Sequence, residues 1–289
     1  MKYYHMDVFS AEPLSGNGLT VVFPERELTA ASQLAVAREF KQFETIFIYP
    51  QKKDGFPVRI FTTEEELSFA GHPVLGAGAV IHHLFFPGQK DAPIQLILGE
   101  RIVPLRSRRG PSPGAWPPYT VTMNQGVPQF IQSVAKEHHP AIAAALNVNP
   151  ADLAPAYPLE VVSTGLPYLL VPLRTDLAAA KIATSGFEAF LAWFQAKFVY
   201  VFNPETLQCR TWDNQGLVED VATGSAAGAL CAYLVQHGFR KPGEVIQIQQ
   251  GKYVSRPTVM EAWVAPEKNT VQAFIRGDVS FFSRGETLH

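Results

Sequence analysis

The stretch from Glu219 to Gly228 reads Glu-Asp-Val-Ala-Thr-Gly-Ser-Ala-Ala-Gly: two acids, then a small-residue turn that opens into an apolar run. Earlier in the chain, Glu64, Glu65 and Glu66 precede Phe69-Ala70-Gly71-His72-Pro73-Val74-Leu75-Gly76, again acids before a tight turn and an apolar run. The first N–H groups of a helix have no intrahelical partner and carry the positive end of its dipole, so turns this small let an anionic group approach them. The chemistry suggested is the holding of a small anion beside groups that can move a proton. Pro73 suits a first helical position, which would make His72 the N-cap. Ser225 reads as the N-cap of the second helix, yet its hydroxyl and the neighbouring amides would equally suit a substrate carboxylate. Asp220 suits either a turn-forming aspartate or a site carboxylate, and Glu219 a solvated neighbour.

The two runs that follow, Val74 to Leu84 and Ala226 to Gln236, have almost no polar face, which predicts two buried helices. The elements around them repeat. The first half reads as strands over Tyr3 to Phe9, Leu19 to Phe23, Thr45 to Tyr49 and Val58 to Phe61, with a helix over Thr29 to Phe40 capped by Thr29. After its buried helix come strands over Ile94 to Leu98, Arg101 to Leu105 and Tyr119 to Met123. The segment from Arg106 to Pro118, rich in Arg, Pro and Gly, reads as a hairpin loop. The second half follows the same order, with strands Leu159 to Ser163, Tyr168 to Pro172, Phe198 to Phe202 and Leu207 to Trp212. A helix lies near Phe187 to Gln195, and strands near Val245 to Gln249, Thr258 to Val264 and Val271 to Ile275 follow the buried helix. One shift superposes Ala70 on Ala222, Gly76 on Gly228 and Ala77 on Ala229; another places Gly16 on Gly165 and Val22 on Val171. A shared plan in both halves is the mark of an internal duplication. The expected organisation is α/β, with one half over residues 1–125 and the other over 126–289, the last strand free to return to the first half.

Composition narrows the partners. The chain has 289 residues, 47% hydrophobic and 17% charged, with a net charge of -2. Nothing global draws it to nucleic acid or an anionic membrane. No apolar run of about 18 residues spans a bilayer, and Met1 to Phe9 lacks the core of a signal peptide, so the expectation is a cytoplasmic protein with a small-molecule partner. The two cysteines, Cys209 and Cys231, form no closely spaced pair. His82-His83 and His138-His139 are neighbours whose side chains point apart on a helix, which disfavours a shared metal. Thr223-Gly224-Ser225 lacks the lysine of a nucleotide-binding P-loop.

Together these stretches resemble the phenazine biosynthesis PhzF-like family. Glu219 to Gly228 is similar to its E-D-x-x-T-G-S-A-A-G signature, and Phe69 to Gly76 to its F-A-G-H-P-x-L-G. Gly16-Asn17, Arg59-Ile60-Phe61-Thr62, Gln250-Gly251 and Arg256-Pro257 also fall where that family has similar residues. The resemblance implies a diaminopimelate epimerase-like fold: two similar domains, each a curled, mostly antiparallel sheet around a central apolar helix, with the active site in the cleft between them. It implies a homodimeric biosynthetic isomerase that moves a proton with no cofactor or metal. Carried onto this chain, the acid/base glutamate is Glu44, His72 and Asp220 assist it, and Gly71, Gly224 and Ser225 hold the substrate. Read without the resemblance, Glu44 is a junction carboxylate whose apolar neighbours Phe43 and Ile46 would raise its pKa toward a range useful for taking and returning a proton. Thr63, Trp212-Asp213 and Phe43 depart from the family's usual residues, and the last two bear on substrate choice. Epimerases of this fold use a cysteine from each half; Ala70 and Thr223 occupy those places here. A binding protein without turnover is the alternative from another class.

Overall fold

The structure is a computed structural model that describes residues 1–111, 116–267 and 270–288. Its chain forms two compact units, residues 1–124 with 275–289, and residues 125–274.

In the first unit, alternation of buried and exposed side chains builds the strands. Tyr119, Val121 and Met123 point inward on one strand, and Ile94, Leu96 and Leu98 on another, with the more exposed Thr120, Thr122, Gln95 and Ile97 between them. The elements are β1 (Lys2–Val8), β2 (Asn17–Phe23), α1 (Ala30–Phe40), β3 (Glu44–Ile48), β4 (Phe56–Phe61), β5 (Glu66–Leu67), α2 (Gly71–Phe85), β6 (Asp91–Leu98), β7 (Arg101–Arg109) and β8 (Tyr119–Gly126). The C-terminal strand, Thr270–Glu286, enters this unit and pairs with both β1 and β8, so the order closes on itself. Closure leaves no edge among β1 to β4, β6 to β8 and the C-terminal strand, while the short β5 pairs with β4 alone.

Inside lies α2, buried without interruption from Gly71 to His82. Gly76 is required by the packing: a Cβ there would stand 2.2 Å from Leu19 Cδ2 of β2. The helix α1 crosses from β2 to its parallel neighbour β3 and takes Thr29 as its N-cap, whose side chain accepts from the Ser32 amide. That crossover sets Leu19 opposite Glu44 and fixes where β3 begins.

The second unit repeats the plan. Its elements are β9 (Gln129–Ser133), α3 (His139–Ala145), β10 (Glu160–Ser163), β11 (Pro167–Pro172), α4 (Phe187–Trp193), β12 (Phe198–Phe202), β13 (Cys209–Arg210), α5 (Gly224–Gln236), β14 (Ile246–Gln250), β15 (Thr258–Glu267) and β16 (Thr270–Glu286). β9 to β13 form one sheet, and β14 and β15 pair beside β16. α4 crosses between the parallel strands β11 and β12 as α1 does between β2 and β3. The buried helix α5 packs on β10, β11 and β15, and the Gly228 position matches Gly76 in purpose, since a Cβ would stand 1.6 Å from Gln125 Oε1. Both domains are thus curled sheets around an apolar helix, as the resemblance implies.

Several details of the sequence reading change. The N-caps are Ala70 and Thr223, neither making a side-chain cap, so His72 and Ser225 are second helical residues rather than caps. Ala70 adopts extended backbone at φ -152° and ψ 143°, and this places the helix start one residue before the histidine. The strand expected over Leu207 to Trp212 reduces to β13, and the strand from Thr270 runs through Glu286.

Candidate active site

Glu44 opens β3 directly after α1, and His72 lies in the first turn of α2; they are 6% and 2% exposed. His72 Nε2 stands 3.1 Å from Glu44 Oε2. The separation suits a hydrogen bond, but the approach is off the N–H axis, so this is a short contact rather than an aligned bond. On the other side of the ring, Asn17 Nδ2 lies 3.2 Å from His72 Nδ1. An amide nitrogen only donates, so Nδ1 accepts and the ring proton sits on Nε2, toward Glu44. Burial pushes the His72 pKa down to about 3, so the imidazole is neutral. The three residues come from the starts of β2, β3 and α2, which the parallel β2–β3 register brings to one end of the central helix. Gly71, the first residue of α2, adjoins His72 with its backbone amide.

In the second unit, Asp220 is 4% exposed and its Oδ2 accepts from the Thr223 hydroxyl at 2.5 Å. Gln250, from the end of β14, ties this turn together through bonds to Asp220 and Thr223. Ser225 does not cap its helix; its hydroxyl lies 2.7 Å from the buried Tyr168 hydroxyl. The carbonyls at the start of α5 are held as well, Gly224 by Gln125 Nε2 at 2.9 Å and Ser225 by the Thr164 hydroxyl at 3.0 Å.

The hydrophobic pattern of the sequence hides Asn17, Gln125, Tyr168 and Gln250. A usable signal did exist for two of them. On β8 the inward phase runs Tyr119, Val121, Met123, Gln125, and on β14 it runs Ile246, Ile248, Gln250. A glutamine in the apolar phase of a strand must find buried partners, and both do so at the start of α5.

Features set aside on sequence grounds have structural duties. Glu219 pairs with Arg210 at 2.6 Å, and Arg210 Nη1 also donates to the carbonyls of Leu177, Ala178 and Ala180. Cys209 and Cys231 are buried, and burial pushes both thiols up to about 12, which removes the thiolate a cysteine racemase needs. His82 bonds Ser107, and His83 stacks on Trp116 at 4.3 Å. Among the described residues no cluster of histidines, cysteines or acids has the geometry to hold a metal. Of the Arg- and Pro-rich stretch, β7 carries Arg106 and Arg108 to Asp91, while residues 112–115 lie outside the described residues. No described helix is long and apolar enough to cross a membrane.

Residues 6–285 match the family model described as phenazine biosynthesis-like protein, and the chain belongs to that family. Its relatives include the trans-2,3-dihydro-3-hydroxyanthranilate isomerase of Pseudomonas chlororaphis, 30% identical over 90% of this chain and 89% of the relative. The uncharacterized isomerase YddE of Salmonella typhimurium is 28% identical, over 92% of this chain and 91% of the relative. Among solved structures, a predicted epimerase of Pseudomonas aeruginosa, PA4716, superposes with a TM-score of 0.91 at 39% identity, covering 100% of this chain and 99% of that one. A probable proline racemase from Agrobacterium radiobacter, 11% identical with a TM-score of 0.64 over 99% of this chain and 92% of that one, shares the fold. The chain is an isomerase of the epimerase-like fold.

Proposed function

We propose that the protein isomerises a small carboxylated substrate by moving one proton, with Glu44 as the acid/base group and no cofactor. The observation that carries this reading is the buried contact between Glu44 and a neutral His72 at 3.1 Å. In the reaction the Glu44 carboxylate takes a proton from a C–H bond, the bonding electron pair enters the adjoining π system, and the proton returns to another carbon. Atoms and electrons balance without an oxidant or reductant. A glutamate suits both halves of the step because one group first accepts the proton and then donates it. His72, neutral and in short contact with Glu44, packs beside that carboxylate without adding a charge to the site.

Asp220 is assigned an assisting role through its carboxylate. Gly71, Gly224 and Ser225 are assigned to the substrate's polar groups, with short side chains that leave the amides at the two helix starts approachable. The first substrate to test is trans-2,3-dihydro-3-hydroxyanthranilate, the compound named for the Pseudomonas chlororaphis relative. The assembly we propose is a homodimer, in line with the family resemblance, and light scattering on the purified protein checks it.

The deciding experiment incubates that compound, and a panel of cyclic amino and hydroxy acids, with the protein in D₂O. Deuterium should enter a C–H position, and Glu44→Gln should lower the rate on the order of 10²–10⁴ or more. Binding without exchange across the panel, equal in wild type and Glu44→Gln, overturns the reading in favour of a binding protein.

A further inference from the structure

We propose that Gln250 and Thr223 are positioning residues that hold Asp220 as a hydrogen-bond acceptor, through a chain of donors that runs one way and ends on its Oδ2. The proposal rests on the reading above that Asp220 takes part in the reaction.

The orientation of the Gln250 amide follows from its backbone partners. Its Oε1 accepts from the Thr223 N–H at 3.1 Å, and its Nε2 donates to the Asp220 carbonyl at 2.8 Å. Turning the amide over would set NH₂ against N–H and oxygen against oxygen, so the assignment has one solution. Nε2 has a second hydrogen, and it goes to Thr223 Oγ1 at 2.9 Å. A hydroxyl has one hydrogen of its own. One of its two lone pairs accepts from Nε2–H, and Thr223 donates its own hydrogen to Asp220 Oδ2 at 2.5 Å.

At the far end of the chain stands Tyr200, which also has a side-chain hydrogen bond with Cys209. The Tyr200 hydroxyl donates to Gln250 Oε1 at 3.0 Å, and burial raises the Tyr200 pKa well above its ordinary value, so the hydroxyl keeps its hydrogen. Every member is buried: Tyr200 is 0% exposed, Gln250 1%, Asp220 4% and Thr223 8%. A donor aimed at Oδ2 favours the ionised carboxylate over the protonated acid. Gln250 thus does two jobs, bracing the turn through its backbone bonds and setting the direction of the Thr223 hydroxyl.

The test separates these jobs by working at Thr223. Thr223→Val removes the hydroxyl at nearly constant shape, while Thr223→Ser keeps it. Isotope-edited infrared spectra of the free protein, with Asp220→Asn used to assign the band, read the Asp220 carboxylate directly. The Asp220 band should move in Thr223→Val and in Gln250→Leu and return to the wild-type position in Thr223→Ser. With trans-2,3-dihydro-3-hydroxyanthranilate as probe, kcat should fall about tenfold or more in Thr223→Val, KM should change far less, and Thr223→Ser should restore turnover. A wild-type band position in Thr223→Val overturns the proposal. So does a shifted band with unaltered turnover, or full turnover in Asp220→Asn. If the wild-type protein does not turn over the probe, the choice of substrate falls, and the infrared comparison on the free protein still decides whether the donor chain ends on Asp220.

Discussion

At the scale of single residues, the burial of His72 is the feature with the largest measurable consequence. Its folded pKa is about 3 against about 6.5 unfolded. Because the folded value is depressed, the unfolded chain takes up the proton first; the stability is fully present above pH 6.5 and is lost as pH falls toward 3. While only the unfolded state is protonated, the loss is about 1.4 kcal/mol per pH unit. His82 and His83 are also lowered by burial and act in the same direction. Urea denaturation at a series of pH values between 6 and 4 should therefore show a shallower slope in His72→Gln than in wild type, by about one proton. Equal slopes would mean that His72 protonates as readily in the folded chain as in the unfolded one.

At the scale of elements, the starts of α2 and α5 are placed by packing as much as by their own residues. At the start of α5, Gly228 has no side chain where Gln125 Oε1 sits, so the amide can stay on the Gly224 carbonyl. Gly228→Ala should displace the Gln125 amide from the Gly224 carbonyl and cost about 1–3 kcal/mol in chemical denaturation. In a Gln125→Ala background the same substitution should cost clearly less, since the obstacle is gone and neighbouring sites do not add. Additive losses would place the strain elsewhere. The element level also shows how far local sequence could be trusted. The Thr29 cap is found where its residue type predicts, because its oxygen meets the Ser32 amide within one turn. His72 and Ser225, which the same rules make caps, are one step inside their helices. There the backbone angles of Ala70 and Thr223, set by the strands and loops leading in, decide the start.

For the molecule as a whole, the two buried cysteines are reporters of global opening. Both are fully buried, with thiols pushed up to about 12. A thiol reagent at mild alkaline pH should label neither in the native protein except at the rate of unfolding, and both should react at once in denaturant. Fast native labelling at either position would show a local opening of β13 or α5.

What the sequence by itself determined is whatever rests on local composition and period: two apolar helices long enough to be buried on all sides, the strands that alternate around them, the repeated order of elements, and the family signatures at both turns. The tertiary structure alone decided the company each polar residue keeps. Asn17 reaches His72 across 55 residues of chain, Tyr168 reaches Ser225 across 57, and Gln125 reaches Gly224 across 99. Such pairings follow from sheet register and from the closure of strands around a helix. A buried polar group must satisfy its hydrogen bonds wherever that closure places a partner, and no local window of sequence contains the distance.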